Sequence, residues 1–213
     1  MGVAFDSALR RVLDVVASAT VLVLLAPLLA VIAVLVKLRS PGPVFFVQKR
    51  MGRGCAPFGL LKFRTMRVDA SAHGPKVTIG ADPRITPIGT VLRRYKLDEL
   101  PQFANVLRGD MSLVGPRPEV PEYVAQYTEE QRRVFAVRPG ITDPASLTYH
   151  DEASLLATFD EPERAYREQV LPHKLAISLD YLERRTIVSD LRVIAETALR
   201  MVVRSTNLPH VPE

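Results

Sequence analysis

The hydrophobic pattern is dominated by one uncharged run of 22 residues, from Val15 to Val36. At about 1.5 Å per residue, a helix of that length crosses a bilayer core of about 30 Å. Pro27 lies near the middle, where proline removes a backbone hydrogen bond and clashes with the preceding turn. Spanning helices nevertheless tolerate proline. The pattern leaves open a re-entrant helix broken at Pro27, a spanning helix and, less readily, a buried soluble helix.

Basic residues on both sides of this run bear on its topology. Arg10 and Arg11 precede the run, and Lys37 and Arg39 follow it. A single span is expected to show asymmetry in Lys and Arg, whereas two cytoplasmic ends are not. The flanks therefore favour the re-entrant form, and "SPGP" at 40–43 is predicted to end the membrane element.

Two short strands are predicted next. The segments "VFFVQKR" (44–50) and "FGLLKFRTM" (58–66) enclose a glycine-containing loop, which is typical of a hairpin. Because side chains alternate along a strand, Lys62 and Arg64 are predicted to share one face. Residues 69–89 are rich in Gly, Pro and Asp and are predicted to form a loop.

Helical spacing returns in two further segments. Residues 88–95 are predicted to form an amphipathic helix with a basic side. Its apolar stripe comprises Ile88, Val91, Leu92 and Tyr95, and the basic residues outside that stripe are Arg93, Arg94 and Lys96. Such a helix suits a membrane interface, and equally a core-facing position with a solvated basic side. The C-terminal third is predicted to be helical, with an apolar face over 191–202. Both apolar faces suit membrane contacts or contacts in a homodimer.

Two adjacent carboxylates, Asp98 and Glu99, follow the basic helix and precede Pro101. Pro101 is compatible with a helix only in its first turn, so the helix is predicted to begin at Asp98, with Asp98 as the N-cap. Gly109 is its predicted stop signal. The apolar stripe of this helix comprises Leu97, Leu100, Phe103 and Leu107.

The acid pair has two interpretations. A helix N-terminus attracts anions, so Asp98 would be an ionised carboxylate among cationic groups, available to a metal or to an electrophile. Alternatively, Asp98 is only a cap, and Glu99 forms an ion pair with Arg93 or Lys96. The residues alone leave both open.

Arg117 stands between two prolines in "SLVGPRPE" (112–119). Proline fixes φ and restricts the preceding residue, so the guanidinium is presented on a stiff backbone. That presentation suits bidentate phosphate binding. A rigid turn with an incidental arginine is the alternative.

Composition narrows the class of partner. The chain of 213 residues carries 24% charged residues yet has a mean hydropathy of +0.09, so its apolar residues are concentrated. A net charge of +5 favours anionic partners, which are nucleic acid, anionic lipid or phosphorylated substrates. Cys55 is the single cysteine, which excludes an internal disulfide. The sequence has no GxxxxGK[ST] motif, which disfavours P-loop chemistry.

These segments together resemble one family, the bacterial monotopic phosphoglycosyl transferases, or polyprenyl-phosphate sugar-1-phosphate transferases. The resemblance runs from about residue 11 to residue 204 and corresponds to the small catalytic-core type. It is carried, in this order, by "SPGPVFFVQKRMG", "KFRTM", "DPRITPIG", "LRRYKLDELPQFANVLRGDMSLVGPRPE" and "RPGIT".

The resemblance implies an activity and a place. Family members transfer a sugar-1-phosphate from a nucleotide-sugar, commonly a UDP-sugar, to undecaprenyl phosphate and release UMP. This is the first membrane step of glycoconjugate assembly, such as that of exopolysaccharide or O-antigen, at the cytoplasmic face of the bacterial inner membrane. The implied partners are the donor, the acceptor and membrane lipids, with no nucleic acid.

The resemblance also implies a fold. This is a membrane-associated α/β fold with a re-entrant helix over 1–40 and one catalytic unit over 41–213. A short β-hairpin and interfacial amphipathic helices surround a small mixed core.

The implied site centres on the acid pair, with Asp98 as the nucleophile and Glu99 beside it as a base or a metal ligand. Mg²⁺ is required, with Asp98 and Glu99 as its ligands. The residues matched to phosphate or nucleotide binding are Arg93 and Arg117, followed by Lys62, Arg64 and Arg94.

Two departures from the family pattern qualify these expectations. Ala26 stands where family members often have Ser before the helix-breaking proline, so the break would depend on Pro27, helped by Ser18 or Thr20. The stretch "GITDPASLTYHDE" also differs from larger members, so their sugars are not transferred to this chain.

Two alternatives to covalent catalysis remain. One is a membrane-anchored basic adaptor that binds anionic lipid or nucleic acid through Arg93, Arg94 and Lys96. The other is direct transfer, in which Asp98 only holds Mg²⁺.

Overall fold

The computed structural model describes residues 2–68, 78–80 and 82–202, with side chains described from residue 6 to residue 200 within these ranges. The described residues form a mixed α/β fold that is mostly helical and contains two small two-stranded sheets. At this coarse level the predicted fold class is confirmed.

The N-terminal helix pair is bent. Helix α1 covers Gly2–Leu24 and α2 covers Ala26–Arg39, and their axes differ by 63°. The break is at Leu25 rather than at the predicted Pro27. Pro27 lies in the first turn of α2, where its missing N–H needs no helical partner. Among the described residues no single helix has the length and apolarity to cross a bilayer, although the two halves have them together.

The start of α1 is fastened to the rest of the chain by polar contacts. Arg11 donates hydrogen bonds to the carbonyls of Val106 and Leu107, at 2.7 and 3.0 Å. The Asp14 carboxylate accepts one from the Leu113 amide at 2.9 Å. Arg10 and Arg11, the basic residues that precede the apolar run, are thus bound to other segments of the protein.

The predicted hairpin is confirmed. Strand β1 (Phe45–Met51) pairs antiparallel with β2 (Pro57–Phe63). Strand β2 ends at Phe63, so Arg64 lies beyond the strand. Lys62 and Arg64 therefore do not share one strand face, contrary to what the sequence had predicted. The Arg64 guanidinium instead donates to the Ser40 carbonyl at 2.6 Å.

Helix α3 covers Pro87–Arg94 and therefore begins within the segment 69–89 that was predicted as a loop. Residues 69–77 and 81 of that segment lie outside the described residues. The Thr86 side chain caps it by accepting from the Gly89 amide at 3.1 Å. The backbone of α3 lies against Thr65, since a Cβ at Gly89 would be 2.1 Å from the Thr65 carbonyl oxygen.

The acid pair is not at the start of a helix, contrary to the prediction. Leu97–Glu99 form a 3₁₀ turn, and helix α4 covers Gln102–Arg108 with Pro101 at its N-cap position. Asp98 is therefore not the cap. The predicted stop is confirmed, because Gly109 adopts a left-handed conformation with φ of 91°.

Helix α4 buries a different face from the predicted stripe. Gln102, Asn105 and Val106 are buried, whereas Leu107 is 37% exposed. The polar Asn105 faces inward because its amide pairs with the backbone of β2, accepting from the Leu61 amide at 2.9 Å and donating to the Gly59 carbonyl at 2.8 Å. Helical periodicity alone does not reveal such a contact with a distant strand.

A second sheet was missed in the sequence. Strand β3 (Ser112–Val114) pairs in parallel with β4 (Gly140–Thr142), which lies in the segment interpreted as turns. The two strands bring the segment after β3, which contains Arg117, beside the chain at 138–142. Gly140 donates to the Pro116 carbonyl at 3.1 Å.

The C-terminal part is helical, as predicted. Four short helices come first: α5 (Pro121–Val124), α6 (Pro144–Thr148), α7 (Glu152–Leu156) and α8 (Pro162–Ala165). A π-helical turn at Tyr166–Val170 then leads into two longer helices, α9 (Leu171–Arg184) and α10 (Ile187–Val202). The largest apolar core lies here, with Tyr166, Val170 and Leu156 among its most buried members. On α10, Val193 is buried but Leu191 is 54% exposed, so the predicted apolar face remains on the surface.

We expect Gly89→Ala to destabilise the protein because its methyl group would collide with the Thr65 backbone. Overpacking of this kind costs about 1–3 kcal/mol. The midpoint of thermal unfolding in one detergent should fall by several degrees. Thr90→Ala, at the exposed neighbouring position, is the control and should leave the midpoint nearly unchanged. Equal midpoints for the two variants would contradict the close contact.

Candidate active site

The chain turns sharply between α3 and the acid pair. Lys96 adopts a left-handed conformation with φ of 54°, which is uncommon for a residue other than glycine. The following 3₁₀ turn directs Asp98 inward, where it is 6% exposed. Such local strain is often found at functional sites.

Glu99 is the meeting point of three chain segments. Its carboxylate accepts a hydrogen bond from Lys62 of β2 at 2.8 Å and forms a two-pronged ion pair with Arg117. The two cations come from segments 37 and 18 residues away in the chain. The structure thus brings together Lys62, Glu99 and Arg117, all of which the sequence singled out.

Asp98 has a different environment. No residue in the described part of the chain donates a hydrogen bond to its carboxylate, although Lys62, Arg93 and Lys96 act on it through their charges. Arg93 is held nearby, because its guanidinium donates to the hydroxyls of Thr65 and Thr78, both at 2.8 Å. Asp98 therefore keeps its oxygen atoms available within a cationic surrounding.

The two adjacent carboxyl groups have pKa values shifted in opposite directions. Burial raises the pKa of Asp98 above its ordinary value of 3.8, and the neighbouring Glu99 charge adds to the effect against the pull of Lys62. Burial also disfavours ionised Glu99, but the charges of Arg117 and Lys62 outweigh it and hold the pKa of Glu99 well below 4.5. Pairs of acids separated in this way are typical of catalytic sites.

The cations are tuned by the same cluster. Burial lowers the pKa of Lys62, and the Glu99 charge opposes that shift. Burial also lowers the pKa of Arg93, while Asp98 raises it. The Glu99 charge raises the pKa of Arg117, so this guanidinium stays charged. Together they present positive charge to an anionic ligand.

Two of the predicted basic residues lie elsewhere. Arg64 is buried against the Ser40 carbonyl, and burial lowers its pKa; neither acid is among its contacts. Arg94 is exposed, with its guanidinium 5.9 Å from the ring centroid of Tyr95. Their assignment to phosphate binding has no support in the geometry.

Other residues important to the site were not found from sequence. Thr65 and Thr78 position Arg93, and Asn105 joins α4 to β2 next to the acid pair. No spacing or composition signal marks these residues, because each acts through a contact between distant segments.

The donor set fits Mg²⁺ only in part. The described residues contain no group of three or more His, Cys, Asp or Glu side chains arranged to hold a metal. Mg²⁺, however, is often held by one or two carboxylates together with substrate phosphates and water. Asp98, with no donor on its carboxylate, fits that use, whereas Glu99 already accepts from Lys62 and Arg117.

Comparison with known proteins identifies the family. Residues 5–204 match the family described as bacterial sugar transferases, and the chain belongs to that family. The resemblance seen in the motifs is thereby confirmed.

Individual relatives extend this comparison. The exopolysaccharide production protein PSS of Rhizobium leguminosarum bv. phaseoli is 38% identical over 206 residues, covering 93% of this chain and 98% of that protein. A UDP-glucose:undecaprenyl-phosphate glucose-1-phosphate transferase of Caulobacter vibrioides is 39% identical over 201 residues, covering 88% of this chain and 67% of that protein.

A third relative is longer. The UDP-N-acetylgalactosamine-undecaprenyl-phosphate N-acetylgalactosaminephosphotransferase of Aeromonas hydrophila is 43% identical over 146 residues, which is 66% of this chain. The match spans about a third of the Aeromonas protein, or 34% of its length.

We expect the two acids to have opposite effects on stability. The native pKa of Asp98 lies above its unfolded value of 3.8, so stability falls as pH rises through the native pKa, and ionised Asp98 destabilises the fold at neutral pH. The native pKa of Glu99 lies below 4.5, so its contribution is present above pH 4.5 and is lost as pH falls through the native pKa.

At pH 7.5, Asp98→Asn should therefore raise the unfolding midpoint by about 2–4 °C, which corresponds to roughly 1 kcal/mol in a domain of this size. Glu99→Gln should lower it by at least about 5 °C, because it leaves two partly buried cations without a partner. Asp160→Asn, at an exposed position, serves as the control. A fall with Asp98→Asn comparable to that with Glu99→Gln would show that the two environments do not differ as described.

Proposed function

We propose that the protein transfers a sugar-1-phosphate from a UDP-sugar to undecaprenyl phosphate, giving undecaprenyl-diphosphate-sugar and UMP. The observation that carries this proposal is the pair of a buried Asp98 and a partly buried Glu99 with opposed pKa shifts, among the charges of Lys62, Arg93 and Arg117. Family membership and the names of the relatives support the substrates.

In the first half-reaction, a carboxylate oxygen of Asp98 attacks the phosphorus that carries the sugar. The bond between that phosphorus and the bridging oxygen of UMP breaks, and UMP leaves with the electron pair. An aspartyl phosphosugar remains on the enzyme. The raised pKa of Asp98 supports this role, because a more basic carboxylate is a better nucleophile and no described residue donates a hydrogen bond to it.

In the second half-reaction, a phosphate oxygen of the acceptor attacks the same phosphorus and expels the Asp98 carboxylate. The second pKa of a phosphate monoester is about 6, so the acceptor is largely ionised at neutral pH and has little need of a base. Glu99 is accordingly assigned the task of holding Lys62 and Arg117 in place. Its low pKa and its ion pairs suit that task better than proton transfer.

Electrostatics must allow a carboxylate to approach a diphosphate. Arg93 and Arg117 would bind donor phosphates, and Lys62 reaches the same space from β2. Mg²⁺, held through Asp98 and the donor phosphates, would supply further charge neutralisation when bound.

The alternative of a basic adaptor is less well supported. Arg93 is held by two threonine hydroxyls and faces the acid pair, so it is not part of a free basic strip with Arg94 and Lys96. Direct transfer without an aspartyl intermediate uses the same residues, and kinetics distinguish it.

We further propose that α1 and α2 form a re-entrant element. Both ends attach to the same folded body, α1 through Arg11 and α2 through Ile32 and Val36, which pack with Phe63. At about 1.5 Å per residue, α1 extends about 20 Å beyond Arg11 and α2 runs about 9 Å before Ile32, so neither arm alone crosses a bilayer core of about 30 Å. Near the bend, Val23 is 73% exposed, as expected of an apolar tip in lipid. In this proposal both ends of the helix pair lie on the cytoplasmic side, and the site lies at that surface, where a lipid-linked phosphate can reach it.

We expect the purified protein, in detergent or nanodiscs with Mg²⁺ and undecaprenyl phosphate, to release UMP from one member of a UDP-sugar panel. Without acceptor, it should release a burst of at most one UMP per enzyme. Chelation of Mg²⁺ should abolish both signals. Asp98→Asn should reduce turnover by at least about 10³-fold and remove the burst.

Arg94→Gln is the matched control, since Arg94 lies on the same helix as Arg93 but away from the acids; it should keep most activity. Turnover without any burst would favour direct transfer. Absence of UMP with every sugar, followed by failure of other nucleotide donors, would reject the proposed activity.

The topology has its own test. In a Cys55→Ser background, Ala8→Cys and Arg39→Cys place exposed thiols at opposite ends of the helix pair. A membrane-impermeant maleimide should label both in inverted vesicles and neither in spheroplasts. In the wild-type protein, labelling of native Cys55, which lies in the hairpin loop, reports the side of the membrane on which the catalytic part lies. Labelling of the two ends from opposite sides would demonstrate a span.

A further inference from the structure

A second polar cluster lies directly behind Arg117 in the chain. Glu119 accepts hydrogen bonds from Arg50 of β1 at 2.8 Å and from the Tyr166 hydroxyl at 2.6 Å. Its own carboxylate also accepts from the Val120 amide at 2.9 Å. The Glu119 side chain is 12% exposed, so this partly buried acid has its oxygen atoms well supplied with hydrogen-bond donors.

The cluster grips the backbone as well as the side chain. Arg50 donates to the Pro118 carbonyl at 2.9 Å, and the Met51 amide donates to the Glu119 carbonyl at 2.9 Å. The far side of the Arg50 guanidinium is fixed by the Gln48 side chain, at 2.9 and 3.1 Å. The residues just after Arg117 are therefore bound to the end of β1 at several points.

The other partner is equally constrained. Tyr166 is 2% exposed and lies in the π-helical turn between α8 and α9. Its ring packs 5.3 Å from that of Tyr123, and the Lys174 ammonium lies 5.3 Å from its centroid. Glu119 thus joins the hairpin to the C-terminal helical core. None of its hydrogen bonds reaches Asp98 or Glu99.

This arrangement anchors the backbone on both sides of Arg117. Pro116 is held on one side by the Gly140 amide, and Pro118 is held on the other by Arg50. With both neighbours anchored and with φ set at each proline, the backbone that carries the Arg117 side chain is held in one position beside Glu99. The ion pair with Glu99 depends on that direction, because a bidentate pair tolerates little displacement.

We propose that Glu119 is a positioning residue that holds Arg117 on Glu99 and, through it, sets the donor-phosphate site. The inference rests on the proposed function for its kinetic consequences but not for its structural ones. Within the described residues Glu119 makes no hydrogen bond to Asp98 or Glu99, so the proposal routes its effect through Arg117.

The first test compares Glu119→Gln with Asp190→Asn. Asp190 is a matched control, since it is also buried and accepts from Arg10, Arg185 and Tyr181, away from Arg117. Glu119→Gln should lower kcat/KM for the UDP-sugar by about 10–100-fold, as expected for a displaced binding group. Asp190→Asn should change it by less than about 3-fold at a comparable loss of Tm. Equal kinetic losses in the two variants would overturn the proposal.

The second test is a double-mutant cycle with Arg117→Gln. In that background Glu119→Gln should cause no further kinetic loss beyond about 2-fold, because its route of action is gone. Its effect on Tm should persist. Losses that multiply would show that Glu119 acts independently of Arg117 and would reject the proposal.

The third test does not require turnover. Phenylglyoxal modification of Arg117, followed by peptide mass spectrometry, should be several-fold faster in Glu119→Gln than in the wild type and unchanged in Asp190→Asn. An unchanged rate at Arg117 would overturn the proposal whatever the activity. If Glu119→Gln does not fold, Tyr166→Phe removes only the hydroxyl donor and should move both readouts in the same direction by a smaller factor. Inactive wild-type protein would reject the proposed function, while the modification rates would still decide the role of Glu119.

Discussion

The site depends on one carboxylate, Glu99, held between Lys62 and Arg117. Taking three charges out of water is costly, and the ion pairs offset that cost only if their geometry is maintained. Because the three residues come from β2, the 3₁₀ turn and the segment after β3, those segments must be fixed relative to one another. Much of the surrounding structure can be understood as meeting that requirement.

Three contacts supply the rigidity. Asn105 joins α4 to the backbone of β2, the close approach of Gly89 to Thr65 sets α3 against the end of the hairpin, and Glu119 fastens the segment that carries Arg117. Each replaces mobile solvent contacts with buried hydrogen bonds or close packing. Asp98 is the exception: burial disfavours its charge, and no residue in the described part of the chain donates a hydrogen bond to its carboxylate. A group of that kind suits a reaction at its free oxygen better than it suits stability.

The outer surface has the opposite character. Apolar side chains are exposed on α1, α2 and α10, as at Val23, Leu38 and Leu191, while Arg11 and Asp14 of α1 bond to the rest of the protein. Exposed apolar surface of this extent marks an interaction site.

The sequence by itself determined the local elements and the chemical class. The apolar run with its proline favoured a broken helix, the alternating segments predicted the hairpin, and Gly109 predicted the end of α4. Local periodicity and backbone preference suffice for such features, because they depend on neighbours in the chain. The motifs around Asp98 and Glu99 were sufficient for the family.

Only the tertiary structure decided which charges meet. Lys62 and Arg117 bind Glu99 and Arg93 acts on both acids through its charge, whereas Arg64 and Arg94 lie elsewhere, although the sequence offered all five as phosphate-binding candidates. The break at Leu25, the inward face of α4 and the parallel pairing of β3 with β4 were likewise beyond local pattern. The physical reason is common to all of them: a buried charge, a buried amide or a strand edge is satisfied by partners distant in the chain, and only the folded backbone brings those partners within hydrogen-bonding distance.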